Sequence, residues 1–248
     1  MPNLMPWSYN GRLPSTAQGN KQDMTILSAA PTLRVLPKYV LQLSILFIAS
    51  SLYPLLSYGA SDGHLSMGML SATKQLTDTH TLFLGGGTLV ENFKGDLGVV
   101  GVIGKINPAM TWRVAYFAYS PNVKGDRRRY DNRLRGALTY KHDFKGWRFF
   151  HRSRLEYRHG DIPSGYRYRP TFNLSHPLSV GNKQIRPFVE YEPFYDFKKH
   201  THSLSLYTLG SVIPVGKRMT LILAYFHIHN IEAGTHTDGP QVLLNVRF

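Results

Sequence analysis

The sequence predicts an all-β chain, a transmembrane antiparallel up-and-down β-barrel of 10–12 strands. Three observations carry that prediction. From residue 61 onward, segment after segment alternates apolar and polar residues with period two, the signature of strands whose two faces meet different surroundings. The connections between these segments alternate short and long. The chain closes on QVLLNVRF, an alternating segment that ends in an aromatic residue.

Composition leaves the barrel standing and removes its rivals. Aromatic residues make up 12% of the 248, with 15 Tyr and 13 Phe, which excludes disorder for most of the chain because disordered segments are poor in aromatics. No stretch reaches the about 20 uninterrupted apolar residues that a spanning helix needs, so a helical membrane bundle is excluded. Strands of a membrane barrel alternate, their hydropathy averages out near neutral, and the same test says nothing against them. The formal charge of +14 raises nucleic acid as a partner. Four of the 29 Lys and Arg and one of the 15 acids precede residue 60, which leaves +11 on the remainder. Basic and aromatic residues lie mostly on opposite strand faces, however, whereas a stacking platform needs both on one surface, so nucleic acid is set aside. Cysteine is absent, which removes disulfides, thiolate metal sites and cysteine nucleophiles.

The first element, residues 1–59, is an N-terminal leader. Residues 1–23 are polar and without period. Met24 opens a stretch with Arg34 and Lys38 as a basic region, an apolar run from Tyr39 to Leu56, and small residues Ser57 and Gly59 placed for cleavage, the three parts of a secretory signal peptide. A membrane anchor is the rival reading, but Gln42, Ser44, Ser50, Ser51 and Pro54 interrupt the run too often for a good one. Met24 is itself a candidate start, with residues 1–23 an over-extended reading frame. Residues 60–248 then form the barrel, exported by the secretory pathway to a bacterial outer membrane. Its expected partners are outer-membrane lipid and lipopolysaccharide, and the barrel-assembly machinery.

The candidate strands, in order, are 64–75, 79–91, 95–106, 110–121, 131–143, 147–159, 165–177, 184–197, 203–214, 218–229 and 241–248. Single-chain bacterial barrels have even numbers, so either the weak first segment drops out or one strand has been missed. The sixth to eighth segments define the faces. In YRYRPTFNLSHPL, Tyr166, Tyr168, Pro170, Phe172 and Leu174 oppose Arg167, Arg169, Thr171, Asn173 and Ser175. In WRFFHRSRLEYRH, Trp147, Phe149, Leu155 and Tyr157 oppose Arg148, Arg152, Arg154, Glu156 and Arg158, with His151 and Ser153 as blemishes on the apolar face and Phe150 on the charged one. In the next, Ile185, Val189, Tyr191, Tyr195 and Phe197 oppose Arg186, Glu190, Glu192 and Asp196, joined by Phe188 and Phe194. An Arg-rich face backed by a Tyr- and Phe-rich one suits a barrel turned inside out, with aromatic girdles against lipid and ion-paired arginines in the lumen. Trp112 and Trp147, each just after a turn, suit the interface, where an indole buries its ring and hydrates its N–H.

Short turns near Pro108, at Asp143 to Gly146, Ser179 to Lys183 and Val215 to Arg218 alternate with longer connections at Asn122 to Asp131, His159 to Gly165, Phe197 to His202 and Asn230 to Pro240. This is the pattern of periplasmic turns and outer loops, with the C-terminus periplasmic. In the final segment Val242, Leu244, Val246 and Phe248 share one face, with Phe248, Val246 and Leu244 as the assembly signal.

The run from about Leu134 to Phe248 resembles an uncharacterised family of Gram-negative outer-membrane barrels, catalogued as a domain of unknown function. The residues that carry the resemblance are HRSRLEYRH, YRYRPTF, RPFVEYEPFYDF and the closing strand ending in Phe248. It implies location and fold, and no activity.

Candidate chemistry lies in two places. Lumen-facing Arg152, Arg154, Glu156, Arg158, Arg167, Arg169, Arg186, Glu190, Glu192 and Asp196, with Arg113, Arg133, Arg135, Arg148 and Arg247, either form a porin-like anion-selective ring or plug the barrel with Arg–carboxylate pairs. Arg154, Arg169 and Glu190 are expected within reach of one another. The expected function is a plugged or narrow barrel with a structural or small-anion passage role. The alternative is a lipid- or lipopolysaccharide-modifying enzyme whose site is the rim cluster His200, His202, His227, His229 and His236, polar rim residues or else a general base. No catalytic motif, metal site or cofactor is assigned. Arg127, Arg128 and Arg129 are a solvated loop tip or a lipopolysaccharide phosphate contact.

Overall fold

The computed structural model describes residues 63–91, 95–121, 129–181 and 183–248. The leader, with its expected signal, and Arg127 and Arg128 lie outside the described residues. Among the described residues no helix forms. The strands are β1 (Gly63–Gln75), β2 (His80–Glu91), β3 (Gly95–Lys105), β4 (Met110–Pro121), β5 (Asp131–Phe144), β6 (Trp147–Gly160), β7 (Gly165–Tyr168), β8 (Thr171–Ser175), β9 (Leu178–Val180), β10 (Lys183–Asp196), β11 (Thr201–Val215), β12 (Met219–Asn230) and β13 (Thr235–Arg247).

Consecutive strands pair antiparallel, and β13 returns to β1, so the sheet closes into a barrel with no free edge. β7 and β8 both lie between β6 and β10 and together make one stave. The interruption falls at Pro170, which has no N–H to give a ladder. Arg169 N–H still donates to the Arg154 carbonyl at 2.8 Å, so the sheet stays continuous across the break. A second interruption at Pro177 separates β9, which pairs only with β10.

Counted as staves the barrel has eleven, which corrects the expectation of an even number. The weak first segment is a full stave, paired on both sides. With an odd number the first and last staves run the same way, so the closing pair is parallel, from Gly63 opposite Thr237 to Thr73 opposite Arg247. The backbones approach closely at this seam: a Cβ on Gly239 would lie 1.9 Å from the Leu65 carbonyl oxygen. Only glycine fits there.

The last stave is also longer than its sequence indicates. β13 begins at Thr235, so the expected loop Asn230 to Pro240 shrinks to a turn at residues 231–234, with Gly234 at φ 65°. THTDG looks like loop because it is polar, but at a barrel rim both faces of a strand tolerate polar residues, and Thr237 is buried while His236 and Asp238 point outward.

The inward positions form two unlike halves. From β11 through β13 and β1 to β3 they are largely apolar, with Leu65, Met67, Phe83, Leu206, Phe226 and Leu243 all buried. From β5 to β10 they are charged, with Arg133, Arg152, Arg154, Glu156, Arg169 and Glu192 buried. The outer surface is the reverse of a water-soluble one. Leu84, Val100, Val114, Leu138, Leu155, Leu223 and Val242 stand exposed away from the ends of their strands.

Candidate functional site

The charged half of the interior is built by cross-strand register. On β5, Asp131, Arg133 and Arg135 alternate inward, and Arg135 lies directly opposite Glu156 on β6, which in turn lies opposite Arg167 on β7. Opposed inward side chains in an antiparallel pair lie within reach of one another, so register alone brings these charges together.

Glu156 and Glu192 are the two nodes. Glu156, fully buried, accepts from Arg135 Nε at 2.8 Å and Arg169 Nη1 at 3.0 Å, with Arg133 Nη1 at 3.5 Å. Glu192, also fully buried, accepts from Arg169 Nε at 2.6 Å, and Arg154 Nη1 lies 3.6 Å away. Arg169 thus bridges the nodes with 0% exposure, and its guanidinium lies 3.9 Å from the Phe194 ring centroid. Nearer the long-connection end, Asp131 holds both Arg133 and Arg158, and Asp196 holds Arg167 at 3.1 Å. Charges this deep are tolerated because they are paired and hydrogen-bonded.

The expected meeting of Arg154, Arg169 and Glu190 takes another form. The acid that both arginines meet is Glu192, while Glu190 lies opposite Asn173 and accepts from its Nδ2 at 3.2 Å. Glu190 is one inward position closer to the short-turn end, out of line with the Arg169 fork. Arg186, Arg152 and Arg154 also face inward, whereas Arg148 sits at the short-turn rim against Asp143 at 2.6 Å, and Arg247 reaches the Lys217 carbonyl. Asp131 was missed from sequence. Its signal is the period-two spacing with Arg133 and Arg135. The inward aromatics that break the pattern are guanidinium platforms: Phe117 lies beneath Arg135 at 3.9 Å, and Phe150 lies 5.5 Å from Arg152.

On the outer surface, aromatic and histidine rings gather in two girdles. At the short-turn end His80 meets Trp112 edge-on at 5.8 Å, Trp147 meets His176 at 4.8 Å, and His142 stacks between Tyr140 and Phe144. At the other end Tyr157 contacts His159 and Tyr166, and Tyr207 contacts His227. Between the girdles, His151 Nε2 and Ser153 Oγ lie 3.0 Å apart and Ser153 Oγ and Tyr168 OH 3.1 Å, so these outward polar groups form a hydrogen-bonded chain.

Four of the five rim histidines come together on the outward face of β11 to β13. His227 Nε2 lies 3.3 Å from His236 Nδ1, His227 Nδ1 lies 3.4 Å from Asp238 Oδ1, His229 stacks on His236 at 4.4 Å, and His202 lies 3.2 Å from Ser205 Oγ. His200 stands apart in the turn before β11, at φ 53°. β1 adds His64, opposite Asp238 across the seam, which sequence order could not show because it is the parallel closure that brings the two ends of the barrel together. Among the described residues no group of three His, Asp or Glu side chains has the geometry to hold a metal ion. Arg129 is exposed. Phe248 is 72% exposed, its N–H donates to the Thr73 carbonyl at 2.9 Å, and Leu244 and Val246 are half-buried on the outward face of β13.

The family model described as protein of unknown function (DUF2490) matches residues 87–237. No curated protein matches the chain. Among solved structures the chain is similar to LpxR from Salmonella typhimurium, at 9% identity and a TM-score of 0.46, over 68% of this chain and 83% of that one.

Proposed function

The chain belongs to the family described as protein of unknown function (DUF2490), and for it we propose an outer-membrane barrel closed by its own side chains, with a structural role in the lipid wall and no open aqueous pore. The observation that supports this is the inverted polarity: fully buried Arg169, Glu156 and Glu192 inside, and exposed Leu and Val bounded by two aromatic girdles outside. In water that outer band is an aggregation surface, whereas in a bilayer it is the required one, with Trp and Tyr at the two interfaces. The leader of residues 1–59 supplies export in this reading, and Phe248, Val246 and Leu244 supply recognition by the assembly machinery.

Two measurements test it. The full chain is expected in the outer-membrane fraction, migrating faster unboiled than boiled because a closed sheet has no edge for detergent to attack. Refolded protein in a planar bilayer is expected to leave conductance at baseline. Recovery in the cytosol overturns the membrane placement, and regular conductance steps overturn the closed interior.

One arrangement favours a second reading. Asp238, His227 and His236 form a chain of outward polar groups at the long-connection rim, where lipid headgroups and water meet in the proposed orientation. An Asp-held imidazole is the usual form of a general base, and an ester at headgroup height is the substrate class it would reach. Fatty-acid release from phospholipid or lipopolysaccharide vesicles, abolished in His227→Ala, would establish it. Absence of release leaves the rim as polar girdle.

A further inference from the structure

Beside the ion-paired nodes lies a second group of arginines with a different character. A small internal cavity between β2 and β6 is lined by Arg113, Arg135, Arg152 and Arg154, with Phe83 and Ala137 among its apolar walls and no carboxylate in its lining. The carboxylates that meet these arginines lie to one side: Arg135 uses Nε for Glu156, and Arg154 turns Nη1 toward Glu192. Their remaining Nη2 groups are buried and have no hydrogen-bond partner, and Arg154 as a whole is only 5% exposed.

Such an arrangement is unfavourable as it stands. Buried N–H groups without acceptors cost free energy, and guanidinium charges gathered in a low dielectric repel one another. Register sets this up: Ala137 stands opposite both Arg113 and Arg154, and Ala115 opposite Arg135, while Glu156, the other neighbour of Arg135, takes its Nε and is shared with Arg169 and Arg133. One small anion at the centre supplies the missing acceptor and offsets the repulsion at once. The space holds roughly one water-sized sphere. That admits a halide and rejects phosphate, a carboxylate or a lipid headgroup.

We propose that the cavity among Arg113, Arg135, Arg152 and Arg154 is a chloride site built into the barrel interior. The site lies against the inner wall between β2 and β6, and the bound ion acts as a structural component. This does not depend on the membrane placement argued above and can fail separately from it.

The test is the unfolding midpoint of the full refolded chain, followed by tryptophan fluorescence in sodium chloride, sodium bromide or sodium gluconate at equal ionic strength. The folded-to-unfolded ratio is expected to rise about a hundredfold when chloride or bromide reaches about 100 times its half-saturating concentration, and to stay level in gluconate. Ala137→Leu fills the space without altering charge and is expected to fold and to lose the halide response, as is Arg154→Met. Should both variants fail to fold, crystals of the unaltered chain grown in bromide decide the matter by an anomalous peak between Arg135 and Arg154. Equal midpoints in chloride and gluconate, a halide response retained in Ala137→Leu, or no bromide peak would overturn the proposal.

Discussion

Glu156→Gln is the sharpest perturbation of the interior. Glu156 is 0% exposed and meets three guanidinium groups, Arg135 at 2.8 Å, Arg169 at 3.0 Å and Arg133 at 3.5 Å. Removing one partner of a buried ion pair costs about 3–5 kcal/mol, because the charge left behind is uncompensated. Here three cations are left, in a wall where arginines already outnumber carboxylates, so the upper part of that range is expected. The glutamine amide makes matters worse by pointing N–H donors at N–H donors. Arg169→Met removes a cation from the same wall, Glu156 keeps Arg133 and Arg135, and Glu192 keeps Arg154, so about 1–3 kcal/mol is expected, mainly from the lost 2.6 Å bond to Glu192. The double variant should cost less than the sum by about 0.5–3 kcal/mol, since each change relieves part of the other. Urea titration of the barrel refolded into lipid vesicles measures all three. A cost below about 1 kcal/mol for Glu156→Gln, or a larger cost for Arg169→Met than for Glu156→Gln, would refute the reasoning that arginine excess sets the sign.

Outward Leu155→Arg and Phe172→Arg should each destabilise the vesicle-inserted barrel by about 2–4 kcal/mol if they lie near the bilayer midplane, and neutral behaviour at both would show that this band does not face lipid. Gly239→Ala should impair closure of the parallel seam, because its Cβ would stand 1.9 Å from the Leu65 carbonyl oxygen and the neighbour is backbone. The expected readout is loss of the fast-migrating unboiled band, and a normal band would mean that the seam is looser than described. Deleting Phe248 should lower assembled protein without changing synthesis, since it removes the exposed terminal ring and the amide bonded to Thr73. Unchanged outer-membrane levels would assign QVLLNVRF to ordinary pairing alone.

The staves were legible because alternation is a local signal and every stave carries it. Most ends agree with their sequence reading within a few residues. What alternation cannot carry is what lies across the barrel or across the seam. It predicted inward Arg and Glu on β6 to β10, but not that Glu192, rather than Glu190, would meet Arg169, because that depends on the cross-strand register, which puts Glu190 opposite Asn173. His151 and Ser153 break an apolar face in the sequence, and their partners are one another and, for Ser153, Tyr168 on the neighbouring stave. Phe150 and Phe194 looked like errors in the charged face, and their reason is likewise a partner on that face, Arg152 and Arg169. His64 could not be read at all, because its neighbours are at the other end of the chain.

The division of the interior into an apolar and a charged half bears on how such a barrel can be made. Buried ion pairs are weak evidence for stability, since well-packed apolar residues of similar volume often do as well or better. The half from β11 through β3 already shows that apolar side chains can fill this barrel. The arginines of β5 to β10 therefore need another reason. On the outer-membrane reading the chain must first cross the inner membrane unfolded, and an uninterrupted apolar stretch of about 20 residues would stop there as a helix. Arginine at inward positions of β6 interrupts such a stretch while leaving the lipid-facing side mainly apolar, with His151 and Ser153 as its polar members. The requirement to pass one membrane and stay in another is then met by charge placed on the face that lipid never touches. That face must be closed again by Glu156, Glu192, Asp131 and Asp196, and, on the proposal above, by an ion from solution where the Nη2 groups of Arg135 and Arg154 have no acceptor.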